Sequence, residues 1–263
     1  MFFDVHAHLD MINEDEKETV TNQTDYVKIE QIIKEAKEKN VNEIISCSTS
    51  FESNKKNIML SKKFDEVKCA IGLYPLNLIE LTNEEIDKAF DFFEDELKTN
   101  KNIIAIGEVG LDYKYSKSEE EKDKQKKAFI RFITLAKKFD KPLIIHSRYA
   151  QRDVLNILVQ QDAKKVLLHG FIDSPSLIKQ AIDKDYFISV GPILIYNQEI
   201  QNRLKEINYT NILFETDSPI KFNGEENYSK KIVEIAVKLS EIKQISLKEI
   251  EEKQESNYLK LFK

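Results

Sequence analysis

At 263 residues, with 41% hydrophobic and 33% charged residues, the chain has enough apolar material for a sizeable core under a heavily charged surface. Its net charge of −6 argues against a strongly basic nucleic-acid binder, though a local basic mouth stays open. It contains no apolar run of about 18 residues and no basic-then-apolar leader at the N-terminus, so a cytoplasmic protein with no membrane span is expected.

The chain opens on Phe2-Phe3-Asp4-Val5-His6-Ala7-His8-Leu9-Asp10, an apolar start that runs into two histidines spaced i, i+2. In an extended strand that spacing puts both imidazoles on one side, and Asp4 shares their parity. A polar stretch, Asn13 to Asp25, precedes a predicted helix from Tyr26 to Lys39. Within it Val27, Ile29, Ile32, Ile33 and Ala36 recur at helical spacing, and Asn40 is the stop. Glu43 to Cys47 reads as the second strand, Phe51 to Phe64 as a helix, and Val67 to Ile71 as the third strand, closed by Gly72 and a Pro75 loop. Thr82-Asn83-Glu84-Glu85 carries helix-capping chemistry for a helix to Lys98. Asn102 to Ile106 is the fourth strand, closed by Gly107-Glu108-Val109-Gly110, and a helix from Ser118 to Phe139 follows. Pro142 to His146 is strand five, with a helix from Gln151 to Gln161 behind it. Lys165 to His169 is strand six, and Asp173-Ser174-Pro175 starts a helix from Ser174 to Asp183. Tyr186 to Val190, closed by Gly191-Pro192, is strand seven, followed by a helix from Gln198 to Ile207. Asn211 to Thr216 is strand eight, and helices from Asn227 to Ile242 and Ser246 to Phe262 end the chain.

Eight strands thus alternate with helices, and most are short continuous apolar runs, as parallel strands covered on both faces require. At this length the pattern predicts an α/β fold, a single-domain (β/α)8 TIM barrel over residues 1–263, with a doubly wound open sheet as the alternative. The charged run Ser118 to Lys127 is read as a solvated helix face. Cys47 and Cys69, the only cysteines, sit in apolar strands and are expected to be reduced and buried.

All four histidines, His6, His8, His146 and His169, fall at C-terminal ends of predicted strands; Glu108 follows strand four and Asp217 follows strand eight. In a barrel those ends converge on one face, where active sites of this fold are built. Four imidazoles and two carboxylates suit one or two divalent ions, such as zinc, manganese or magnesium. Glu108 is the candidate bridge. His6 and His8 with Asp217 would hold one ion, and His146 with His169 the second. Asp217 is also the candidate proton acceptor from an attacking water. Asp4 and Asp10 are cast as groups that orient imidazoles. For substrate, Lys114, Arg148, Arg152 and Lys221 are candidate phosphate contacts, with Arg148 best placed; Tyr113, Tyr149 and Tyr196 are candidate stacking rings.

The ordered set Asp4-Val5-His6-Ala7-His8, Gly107-Glu108-Val109-Gly110-Leu111-Asp112-Tyr113, Pro142-Leu143-Ile144-Ile145-His146, His169-Gly170-Phe171 and Glu215-Thr216-Asp217-Ser218-Pro219 resembles the TatD family of metal-dependent hydrolases, within the amidohydrolase superfamily. The closing Asn257-Tyr258-Leu259-Lys260-Leu261-Phe262 is also similar to that family's C-terminal signature. The resemblance implies a TIM barrel, a divalent metal centre on His6, His8, Glu108, His146, His169 and Asp217, and deoxyribonuclease activity. Two departures stand out. The family commonly has Gly-x-His-Pro after strand three, where this chain reads Gly72-Leu73-Tyr74-Pro75. Tyr74 can donate a hydrogen bond to a phosphate or leaving group but titrates far above an imidazole. The family also often carries Arg-Asn-Glu-Pro after strand eight, and Gly224-Glu225-Glu226-Asn227-Tyr228 has no arginine. The expected function is therefore a monomeric hydrolase of DNA or another phosphodiester. The alternatives are an ester or amide hydrolase such as an aminoacyl-tRNA deacylase, or a catalytically silent binding protein with a structural metal.

Overall fold

The computed structural model of the chain describes residues 1–12, 23–172 and 174–263. Strands β1 (Phe2–Ala7), β2 (Val41–Cys47), β3 (Val67–Ile71), β4 (Ile103–Asp112), β5 (Leu143–Arg148), β6 (Val166–Leu168), β7 (Phe187–Val190) and β8 (Ile212–Phe214) form one sheet in chain order. Every neighbouring pair is parallel. The ends of the sheet meet just past β8, where Asp217 N donates to His6 O at 2.9 Å and His8 N to Ser218 O at 2.6 Å. Around this (β/α)8 barrel lie α1 (Gln23–Glu38), α2 (Phe51–Lys63), α3 (Pro75–Glu80), α4 (Asn83–Thr99), α5 (Glu119–Lys138), α6 (Gln151–Gln160), α7 (Pro175–Asp183), α8 (Ile193–Tyr196), α9 (Gln198–Glu206), α10 (Ile232–Lys243) and α11 (Leu247–Phe262).

Alternation along each strand divides the core in two. Phe3, Val5, Ile45, Cys47, Ala70, Ala105, Ile144, Leu167, Phe187 and Leu213 fill the barrel, and Tyr258, Leu261 and Phe262 of α11 pack onto that cluster. Their neighbours, such as Ile44, Cys69, Ile106 and Ile145, face the helices. Cys47 and Cys69 therefore belong to different layers, and both are free and buried. Local chemistry sets the helix starts. Ser50, Thr82, Ser118 and Ser246 each accept a backbone N–H of the first turn, and Thr82 with Glu85 completes a reciprocal capping box. Pro175 sits in the first turn of α7, where no N–H is needed. Asn40 takes a left-handed φ of 61° just past α1.

The structure corrects several boundaries. β4 runs on through Gly107-Glu108-Val109-Gly110, so Glu108 lies within a strand rather than in a closing loop. β5 likewise continues two residues past His146. Glycine permits this: a side chain on Gly110 (φ +141°) would meet His146 O at 2.1 Å, and one on Gly107 would meet Ile144 Cβ at 2.7 Å. The Pro75 loop is the short helix α3, since proline suits a first helical turn. α8 was also not expected, and the helix read from Asn227 begins at Ile232 after a 3-10 turn, Ser229–Lys231. Of the polar stretch Asn13 to Asp25, residues 13–22 lie outside the described residues, as does Asp173 of the expected Asp173-Ser174-Pro175 start. Among the described residues, no helix is long and apolar enough to cross a membrane.

Candidate metal centre

The mouth at the C-terminal ends of the strands gathers all six expected donors. Pairing registers slip between Asp4 and Ala7 in β1 and between Ile106 and Val109 in β4, so irregularities within the strands re-aim the chain at His6 and Glu108. His6 Nε2 and His8 Nε2 stand 3.2 Å apart. Asp217 Oδ1 is 3.6 Å from the first and 3.3 Å from the second. Glu108 Oε2 closes the group at 3.8 and 3.6 Å. Four donors around one tetrahedral cation at about 2.0–2.2 Å would stand roughly 3.4 Å apart, so this set fits.

The other oxygen of Glu108 serves a second group. Oε1 is 2.8 Å from His146 Nδ1 and 3.9 Å from His169 Nε2. His146 Nδ1 is buried and has no hydrogen-bond partner in spite of that short approach. A donor atom that close to a carboxylate, yet misaligned for a hydrogen bond, suits two ligands aimed at one ion. Three overlapping triads, His6–His8–Glu108, His6–His169–Asp217 and Glu108–His146–His169, each keep their donor atoms within 4.8 Å.

Backbone and carboxylate partners fix which nitrogen faces inward. His8 Nδ1 lies 2.8 Å from Cys47 O, a pure acceptor, so Nδ1 carries the proton and Nε2 its lone pair. His169 Nδ1 is 2.9 Å from Glu215 Oε2, with the same consequence. His146 is turned the other way, with Nε2 3.3 Å from Asp112 Oδ2 and Nδ1 toward Glu108. Sequence reasoning assigned the orienting role to Asp4 and Asp10, which hydrogen-bond no imidazole among the described residues. Asp4 accepts from Thr216 and Ser229, and Asp10 from Ser53 and Asn57. Cys47 O, Asp112 and Glu215 do the orienting instead. Glu215 was the findable one, since i, i+2 spacing from Asp217 at a strand end carries a signal like that of His6 and His8.

The charges follow the geometry. Burial opposes an imidazolium at His8, but Asp217 and Glu108 outweigh it and push the group up to about 9. At His169 burial is again overcome, by Glu215 first and then Asp217 and Glu108, and the group rises to about 10. Burial would raise Glu108, yet the histidines, His146 foremost, hold its carboxyl well below the usual range. Asp217 is lowered in the same way against burial, through His6 and His8. Carboxylates that draw protons onto neighbouring imidazoles make a mouth that favours a divalent cation.

A cleft of about 630 Å³ opens from this centre over β5–β8. His146, His169, Glu215 and Asp217 lie at its base, with Arg148, Tyr149, Leu177, Ile193, Ile200 and Phe222 along its walls. Arg148 is exposed there, and Tyr149 is 74% exposed with a left-handed φ of 57°. Lys221 is exposed on the same loop as Phe222. Tyr74 reaches the centre, but its hydroxyl donates to Asp112 Oδ2 at 2.7 Å. Tyr113 is not brought to the cleft: its hydroxyl donates to Asp153 at 2.8 Å and its ring lies under Lys122 and Lys126.

A family model described as TatD related DNase matches residues 3–263. An uncharacterized metal-dependent hydrolase of Bacillus subtilis is 31% identical over 100% of this chain and 99% of its own length. The human deoxyribonuclease TATDN3 is 30% identical over 89% of this chain and 88% of its own. Among solved structures, a TatD homologue from Escherichia coli superposes with a TM-score of 0.85 at 23% identity, covering 99% of this chain and 97% of that one. A phosphotriesterase homology protein from Escherichia coli, solved with phosphate in its active site, gives 0.72 at 14% identity, covering 100% and 98%; both likenesses speak to the fold.

Proposed function

The chain belongs to the TatD family and is a metal-dependent hydrolase, and from that premise we propose that it cleaves phosphodiester bonds of DNA with two divalent ions, zinc or manganese, sharing Glu108. The observation that carries the proposal is the division of Glu108 between two donor sets, Oε2 toward His6 and His8 and Oε1 toward His146 and His169. His6, His8, Asp217 and Glu108 would hold one ion, and Glu108, His146 and His169 the other. Bound there, such ions supply Lewis acidity at neutral pH, acidifying water and neutralising charge on the substrate.

The chain's own groups do the rest. Asp217 turns Oδ1 to the two imidazoles and keeps 21% of its side chain exposed, so it can take a proton from water arriving along the cleft. Arg148 meets a phosphate with a planar fork of donors. The apolar walls at Leu177, Ile193, Ile200 and Phe222 keep loose water away from the scissile bond. We read residues 1–263 as one catalytic unit, monomeric and cytoplasmic; the two free buried thiols support that compartment.

The test is a substrate panel with added Mn²⁺ or Zn²⁺ that compares DNA with ester and amide substrates. DNA hydrolysis lost on chelation is expected. Asp217→Asn should lower kcat about 100- to 10,000-fold, the range of a lost general base, with the fold intact. The loop at 224–228 presents exposed Glu225 and Glu226 and no arginine, which favours an ester or amide as the second reading. Turnover of those substrates alone would adopt it, and DNA binding without turnover would mark a silent family member.

A further inference from the structure

Tyr74 sits just past β3 at the edge of the cluster, and its environment is more specific than a substrate contact requires. Its backbone is fixed: Tyr74 N donates to Thr49 O at 2.9 Å, and Tyr74 O accepts from Leu78 N at 3.0 Å at the start of α3. Its hydroxyl donates to Asp112 Oδ2 at 2.7 Å. The same oxygen lies 3.3 Å from His146 Nε2, and the hydroxyl itself lies 3.3 Å from that nitrogen. The phenol ring meets the imidazole edge-on, with centroids 4.8 Å apart. Asp112 is fully buried, and its other oxygen accepts Lys114 N at 2.9 Å.

We propose that Tyr74 is a positioning residue for the His146 half of the metal centre: through Asp112 it holds the His146 ring with Nε2 protonated and Nδ1 facing Glu108. Asp112 Oδ2 has two donors, and the tyrosine bond is much the shorter of the two. Without the hydroxyl, the carboxylate keeps only a long contact to His146 and is free to swing about the anchor at Oδ1. His146 then loses the acceptor that fixes its tautomer, and groups of this kind commonly set metal affinity by about 10- to 100-fold. His6, His8 and Asp217 have no hydrogen bond to Tyr74 or Asp112 among the described residues, so the effect is confined to one ion. Tyrosine suits the role because it donates at every physiological pH.

This inference rests on the reading of a two-ion centre that shares Glu108. The experiment strips the full chain with chelator and titrates it with Zn²⁺ alone, in competition with a chromophoric chelator. Wild type should bind two ions. Tyr74→Phe keeps the ring and should bind one ion as wild type does and the second about 10- to 100-fold more weakly, with only the few-degree fall in ion-free Tm that one lost buried hydrogen bond brings. Asp112→Asn should reproduce the selective loss, and it decides the matter if Tyr74→Phe does not fold. Two ions bound by Tyr74→Phe with wild-type affinity would overturn the proposal while the two-ion reading stands. Equal weakening of both sites would overturn it as a merely structural contact. Fewer than two ions on wild type would remove the two-ion reading and the proposal with it.

Discussion

The chemistry of the centre depends on single nitrogen atoms. Cys47 O and Glu215 hold protons on Nδ1 of His8 and His169, so any further proton on either ring sits on the nitrogen that faces the cluster. Those second protons are held up to about 9 at His8 and about 10 at His169. At neutral pH an incoming cation must therefore displace them. Loading the ion-free protein with Zn²⁺ should release protons into a weakly buffered solution. Apparent affinity should rise as pH climbs toward those values and fall as pH drops. Calorimetry in buffers of different ionisation enthalpy measures the release directly; a heat independent of buffer would refute it. The residue scale is also where the sequence was least legible. The i, i+2 pattern announced that His6 and His8 share a side, but nothing in it told that Asp4, of the same parity, would turn to Thr216 and Ser229. A register slip after Asp4 breaks the simple alternation.

At the scale of elements, the seam between β1 and β8 carries the site. Asp4 bridges it: Oδ2 accepts from Thr216 Oγ1 at 2.6 Å and Ser229 Oγ at 2.7 Å, and Oδ1 accepts from Thr216 N at 3.0 Å. The next residue is Asp217, held at a left-handed φ of 54°. Asp4→Val should leave those donors stranded, at about 1–3 kcal/mol each, and lower both Tm and metal affinity. Burial raises the Asp4 carboxyl to about 7 in spite of these hydrogen bonds, well above the 3.8 of an exposed aspartate. The sign follows from linkage. The folded state holds the proton more tightly than the unfolded chain, so this contribution is fully present below about 3.8 and is lost as pH rises through 7. Asp4→Asn has no such proton to lose, so the gap in Tm between wild type and this variant should shift in the variant's favour as pH rises from 4 to 7. A pH-independent gap would sink that account. Element order was legible because each β/α step brings a strand's C-terminal end to one face, whatever the exact boundaries. The extension of β4 through Gly107 and Gly110 was not, because two glycines read as a loop until the close approach of β5 explains them.

The whole molecule separates its two tasks by end. The C-terminal ends of the strands hold the imidazoles and carboxylates; the other end is packed by α11. Tyr258 stacks on Phe3 with centroids 3.8 Å apart and planes 2° from parallel, and Phe262 lies 5.1 Å from Tyr258. Tyr258 and Lys263 both reach Glu43 near the start of β2, which ties the final turn to the barrel wall. The sequence showed a closing helix from Ser246 to Phe262 whose last residues resemble a family signature, but nothing in a helical period says that its face will pack onto a barrel interior. The cluster of imidazoles and carboxylates was visible because its residues are chemically rare, while the packing of the other end is made of common ones. Removing the ring tests the separation. Tyr258→Ala deletes a fully buried aromatic, a change that costs about 3–5 kcal/mol. At about 2–4 °C per kcal/mol for chains near this size, Tm should fall by roughly 10 °C. Metal stoichiometry and kcat, measured well below the new Tm, should stay at wild-type values, because no hydrogen bond or ion pair connects Tyr258 to the mouth among the described residues. A loss of bound ions at unchanged Tm would mean that the two ends are coupled through the barrel after all.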